Sequence, residues 1–131
     1  MILADTSAWV EFDRATGTAG HLRLVELVRS GEVRVTEPVV MEVLAGARDE
    51  RRLADLRRLM RSVPWLPVDR VADFEGAARI YRACRSAGVT PRGLVDCMVA
   101  NVALRTGVAL LAADRDFEQI ATVVPLRLDR P

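Results

Sequence analysis

The sequence predicts an α/β fold of three layers, a central and mainly parallel sheet between helices. Three observations carry that expectation. Short, continuous apolar runs at residues 1–4 and 108–113 read as strands buried on both faces. Helical segments lie between the strand-like runs, and such alternation gives a parallel sheet covered on both sides. No repeat, low-complexity run or composition shift marks a linker, so residues 1–131 are expected to form a single domain.

The elements follow in order. After the first run, Ser7 is placed to cap a helix through Trp9, Val10 and Phe12. Thr16-Gly17-Thr18 interrupts that helix, and residues 21–29 resume helical spacing up to the stop signal Ser30-Gly31. Residues 33–35 form a short strand candidate. Thr36 then starts a helix with Pro38 in its first turn, Val39, Val40, Val43 and Leu44 inward, and Gly46 at its end. Residues 48–61 carry one apolar stripe, Leu53, Leu56 and Met60, on an otherwise charged surface.

The two prolines of residues 64–68 restrict that stretch to a connector or edge strand. Residues 71–87 form an amphipathic helix with the stripe Val71, Phe74, Ala78, Tyr81 and Cys84. After Pro91-Arg92-Gly93, residues 94–105 are apolar on nearly all sides, as in a buried helix. The run at 108–113, a short helix from Asp116 and a last strand at 123–128 complete the chain.

Composition excludes several classes of function. The chain has two cysteines and one histidine, which rules out a disulfide framework, a cysteine or histidine zinc site and paired-histidine catalysis within one chain. Cys84 reads as a small core residue and His21 as a half-buried helix residue. No apolar stretch approaches a membrane span, and the opening run is too short for a signal peptide, so the cytoplasm is the expected location. All 19 basic residues are Arg. Arg suits phosphate binding, but a GC-rich coding bias gives the same preference, so the absence of Lys decides nothing.

Five acids stand out: Asp5, Glu42, Asp96, Asp114 and Asp116. Asp5 and Asp114 each close an apolar strand, while Glu42 and Asp96 lie in apolar helices. Each has an ordinary explanation of its own. Asp5 and Asp116 can cap helices, Asp96 suits a helix N-terminus, Glu42 can face solvent, and Asp114-Arg115-Asp116 can be a polar turn. Those explanations leave the pattern unaccounted for. Converging carboxylates repel one another and raise their own pKa values, and a shared divalent cation removes that repulsion. Setting these five aside leaves 13 acids against 19 arginines, so the remaining chain is distinctly basic.

Four segments resemble the motifs of PIN-domain ribonucleases, particularly VapC-type toxins of bacterial toxin–antitoxin pairs. They are Met1-Ile2-Leu3-Ala4-Asp5-Thr6-Ser7-Ala8-Trp9-Val10, the stretch from Thr36 to Gly46 around Glu42, Leu94-Val95-Asp96 with its apolar helix, and Leu110-Leu111-Ala112-Ala113-Asp114-Arg115-Asp116-Phe117. They span the whole chain in the family's order. The resemblance implies a PIN-like fold and binding of Mg²⁺ or Mn²⁺ by Asp5, Asp96 and Asp114, with Asp116 nearby. It implies that Glu42 holds or deprotonates the attacking water, and that Thr6, Ser7 and Arg115 make supporting or substrate contacts. It further implies a homodimer and a VapB-type antitoxin whose basic tail blocks the acidic site. One departure is Ala112, where family members often carry Thr or Ser.

The function expected is therefore metal-dependent cleavage of a structured RNA, tRNA or rRNA, by a metal-activated water. Arg48, Arg51, Arg52, Arg57, Arg58 and Arg61 form the best surface for the RNA backbone. The same face also reads as a solvated helix surface balanced by Asp49, Glu50 and Asp55. Two other functions compete. A phosphohydrolase or phosphotransferase with an aspartyl nucleophile usually needs a second Asp two residues on, where this chain has Ser7, and a Lys, of which it has none. A non-catalytic RNA-binding domain would not need all five acids.

Overall fold

The computed structural model describes residues 1–131 and centres on a three-stranded parallel sheet, β2-β1-β3. The central strand β1 (Ile2–Ala4) pairs with β2 (Val33–Arg34), setting Ile2 opposite Val33. On its other side it pairs with β3 (Ala109–Leu111), setting Ile2 opposite Ala109 and Ala4 opposite Leu111. Single parallel bridges, Val35 to Trp65 and Leu110 to Leu128, extend the sheet beyond each edge strand. The prolines at 64 and 67 explain the first, since they cannot donate to a ladder. The strand expected at 123–128 is likewise reduced to a bridge. Pro125 interrupts it, and Val123 and Val124 donate instead to Ile120 O, continuing the preceding helical turn.

Seven helices flank the sheet: α1 (Thr6–Arg14), α2 (Ala19–Ser30), α3 (Glu37–Ala45), α4 (Glu50–Arg61), α5 (Ala72–Ser86), α6 (Leu94–Thr106) and α7 (Asp116–Ala121). The core joins strand residues Leu3, Val33, Leu110 and Leu111 to Trp9, Leu24, Val39, Met60, Val99, Phe117 and Ile120. Two helices end where the backbone enters the left-handed region at a glycine. Gly31 ends α2 and Gly107 ends α6 at positive φ, where a side chain would be strained. Cys84 and Cys97 are both free and buried.

Two local expectations are corrected. The residue capping α1 is Asp5, whose carboxylate accepts the Ser7 N–H, and Ser7 itself lies in the first helical turn. On α5 the inward face is Asp73, Gly76, Ala77, Ile80 and Cys84, while Val71 and Phe74 of the expected stripe are exposed. Asp73 is fully buried because α6 supplies its partners. Arg105 grips it through Nε and Nη2, the latter at 2.8 Å, and Asn101 Nδ2 donates at 2.8 Å. Burial raises the Asp73 pKa, but these donors and the Asp69 N–H outweigh it and hold the carboxyl below its ordinary value. Close packing of α5 on α6 also needs Gly76, since a Cβ there would meet the Asn101 amide at 2.3 Å.

Candidate metal centre

A parallel sheet delivers functional groups at the carboxyl ends of its strands. β1 ends at Ala4, and the Asp5 N–H is still held in the sheet by Leu111 O at 2.9 Å. This fixes Asp5 between β1 and β3, where it is 3% exposed. Its Oδ2 accepts the Ser7 N–H at 3.2 Å and the Ser7 hydroxyl at 2.9 Å. Its Oδ1 is buried with no partner. Burial pushes the Asp5 carboxyl up to about 6, against the lowering effect of the Ser7 and Thr6 donors and with the Glu42 charge adding to the rise.

Asp96 lies in the first turn of α6 and shows the same frustration more strongly. Burial first, then the charges of Asp5, Asp114, Asp116 and Glu42, lift it to about 7. The other four acids therefore all lie within electrostatic reach of Asp96. Asp114 follows β3 across two alanines, and its Oδ1 accepts the Asp116 N–H at 2.9 Å. Asp116 opens α7. Asp96, Asp114 and Asp116 each offer an oxygen, all within 4.8 Å of one another. Glu42 enters from α3, where the Thr6 hydroxyl donates to its Oε1 at 2.7 Å.

These groups fit a hard divalent cation. The donors are carboxylate oxygens, one of them buried and unpartnered. The nearest soft donor, Cys97, is fully buried, and burial lifts its thiol to about 11, so it stays protonated.

The expected supporting residues divide into two groups. Thr6 and Ser7 reach the site, but both hydroxyls are used within the protein. Ser7 Oγ donates to Asp5 and accepts the Ala113 N–H at 2.9 Å, tying the start of α1 to the end of β3. Arg115 is exposed and forms no ion pair with the acids. The cation that does touch them is Arg92. It bonds Asp116 through Nε at 2.8 Å and Asp114 through Nη2 at 2.9 Å. No local pattern in the sequence marked it, because its two acids lie 22 and 24 residues further along the chain.

The arginine surface on and just before α4 is only partly free. Arg52 is paired with Asp13 and Asp55, and Arg58 with Asp55, leaving Arg48, Arg51, Arg57 and Arg61 unpaired. A groove runs beside Glu42, Asp13 and Arg14 and continues to Arg48 and Arg52. His21 is half-buried, its Nδ1 accepting the Gly17 N–H at 3.0 Å.

Known proteins share this architecture. Residues 2–123 match the PIN domain family. The chain is 43% identical over 129 residues to VapC ribonuclease Mb1587 of Mycobacterium bovis and, equally, to ribonuclease VapC11 of Mycobacterium tuberculosis, covering 97% of this chain and 96% of each relative. Among solved structures, VapBC2 from Rickettsia felis bound to a promoter DNA fragment superposes with a TM-score of 0.78 at 14% identity, over 98% of both chains. VapC20 of Mycobacterium tuberculosis, a Sarcin-Ricin loop cleaving toxin, superposes with a TM-score of 0.69 at 23% identity, over 97% of this chain and 99% of that one. With strand ends that gather carboxylates, and with this identity held almost from end to end, the chain belongs to the PIN-domain family, among its VapC ribonucleases.

Proposed function

We propose that residues 1–131 form one catalytic domain, a Mg²⁺-dependent endoribonuclease that also accepts Mn²⁺. It is the toxin of a VapBC-type pair and cuts structured RNA, a tRNA or an rRNA. One observation carries the reading: a buried Asp5 oxygen has no partner, beside an Asp96 carboxyl that burial and the charges of four other acids push up to about 7. A site so short of positive charge suits a cation and, through it, a phosphodiester.

Asp5, Asp96 and Asp114, the last through the oxygen that Arg92 and the Asp116 N–H leave free, would hold the ion, with Asp116 completing the acidic wall. A bound Mg²⁺ would supply Lewis acidity, which lowers the pKa of a water and offsets charge on the phosphate. Thr6 engages Glu42 Oε1 and leaves Oε2 to take a proton from the attacking water. Ser7 fixes Asp5 against the β3 end. Arg48 lines the groove that continues from Glu42, and with the unpaired Arg51, Arg57 and Arg61 it would hold the RNA backbone. The names of the relatives at 43% identity support the activity, and the VapBC complexes with this fold support an antitoxin partner. The basic tail of that antitoxin would cover the acids, and the toxin would act as a homodimer. No helix is long and apolar enough to cross a membrane, which suits a cytoplasmic site of action.

The test is to incubate the protein with total RNA and Mg²⁺ or Mn²⁺ and to sequence the new 5′ ends. Attack by water with the 3′-oxygen leaving gives a 5′-phosphate and a 3′-hydroxyl. Asp96→Asn should give no new ends. Cyclic phosphate at the products would overturn the mechanism, and wild-type protein that cuts nothing would overturn the activity.

A further inference from the structure

Arg92 stands in an unusual place for a residue outside the expected metal-binding set. It belongs to the turn before α6, and Gly93, the residue after it, is the N-cap of that helix. Its guanidinium bridges two separate carboxylates, taking Asp116 Oδ2 with Nε at 2.8 Å and Asp114 Oδ1 with Nη2 at 2.9 Å. These two acids and Asp96 are the trio whose oxygens lie close enough to share an ion.

The fork therefore divides the cluster. Asp114 Oδ1 accepts both Arg92 and the Asp116 N–H, so it has little capacity left for an ion. Asp5 is in the opposite condition, with Oδ1 buried and unpartnered. No ion pair reaches Asp5, Asp96 or Glu42, whereas Asp114 and Asp116 share a fixed positive charge. Unmet demand for a cation is concentrated on the Asp5 and Asp96 side.

We infer that Arg92 occupies the place of a second cation, so that the centre takes one divalent ion and uses a guanidinium as the standing counter-charge of Asp114 and Asp116. The inference rests on the metal-dependent reading above and adds the stoichiometry of that site. A second divalent ion would have to displace a bidentate fork from the oxygens it needs, against the repulsion of a like charge. The planar guanidinium suits this role better than an ammonium, because it spans two carboxylates at once.

The probe is Mn²⁺ with the full chain, titrated by calorimetry for stoichiometry and followed by electron paramagnetic resonance for coupling between ions. Wild-type protein should bind one Mn²⁺ per chain with an uncoupled spectrum. Arg92→Ala and Arg92→Gln should each take up a second Mn²⁺ with spin coupling, at an affinity at least about tenfold above any second binding to wild type. The Arg92 side chain is 74% exposed, so neither change opens the core. Two coupled ions in the wild type, or a single ion in both variants, would overturn the inference while leaving the metal site standing. No Mn²⁺ binding in any of the three proteins would overturn the metal-dependent reading itself, and this inference with it.

Discussion

Asp5→Asn should inactivate the protein and at the same time make its metal-free form more stable. An ionised Asp5 is uncomfortable in this fold, since burial lifts its carboxyl from 3.8 to about 6. Holding it charged at neutral pH costs on the order of 3 kcal/mol. Asparagine keeps the cap on α1, because its amide oxygen can still accept from Ser7, and asparagine caps helices as well as aspartate does. The new amide N–H takes the Oδ1 position and needs an acceptor, which reduces the gain by about 1 kcal/mol or more. A net stabilisation of roughly 1–2 kcal/mol follows, about 5 °C in Tm for a domain of this size. The pH dependence has a definite sign. A carboxyl whose folded pKa is raised costs nothing when protonated in both states, so below the unfolded value of 3.8 the variant loses its advantage over wild type. Their gap opens as pH rises towards about 6 and stays open above it. Thermal melts without metal, from pH 4 to 8, measure the gap. Saturating Mg²⁺ should then raise the wild-type Tm and leave the variant nearly unmoved, because only the wild type binds the ion in its folded state. A variant that melts below wild type at pH 7.5, or a gap as wide at pH 4 as at pH 7.5, would refute the reasoning.

Two further substitutions test the supports of the site and of the helix pair behind it. Thr6→Val removes the 2.7 Å hydrogen bond that fixes Glu42 Oε1, and the cleavage rate should fall about tenfold or more with metal affinity nearly unchanged; an unaltered rate would mean that Glu42 needs no such restraint. Gly76→Ala puts a methyl 2.3 Å from the Asn101 amide and should lower stability by about 1–3 kcal/mol despite the better helix propensity of Ala, with Asn101→Ala recovering part of the loss in the double variant.

Those perturbations separate what was legible in the sequence from what was not. Asp5 and Asp114 could be placed from the chain alone because a strand end is a local event, an apolar run meeting a charge. Glu42 and Asp96 could be suspected because acids in apolar helices are rare enough to need a reason. The α5 stripe was misread because apolarity is an incomplete guide to burial. Asp73 is fully buried by Arg105 and Asn101, which lie 32 and 28 residues further along, and Val71 and Phe74 are left outside. Periodicity cannot register a partner at that distance. The same limit hid Arg92, whose two acids lie 22 and 24 residues beyond it. The last strand failed for a local reason that was visible, since Pro125 lies within it.

Arg105 and Arg92 show how the molecule distributes charge between stability and function. Arg105 meets Asp73 in a closed network with Asn101, and the Asp73 carboxyl sits below its ordinary pKa. Arg92 meets two acids of the cluster and leaves Asp5 and Asp96 with pKa values of about 6 and about 7. The first pair is satisfied by the fold; the second arrangement is only partly satisfied by it. Hydrophobic burial of the strands forces the second state, because Asp5 cannot leave the sheet without breaking its N–H bond to Leu111. Rigid strands thus hold carboxylates where water alone cannot stabilise them. A cation that relieves this strain gains affinity from it, and the same frustration that weakens the metal-free protein prepares the site to bind.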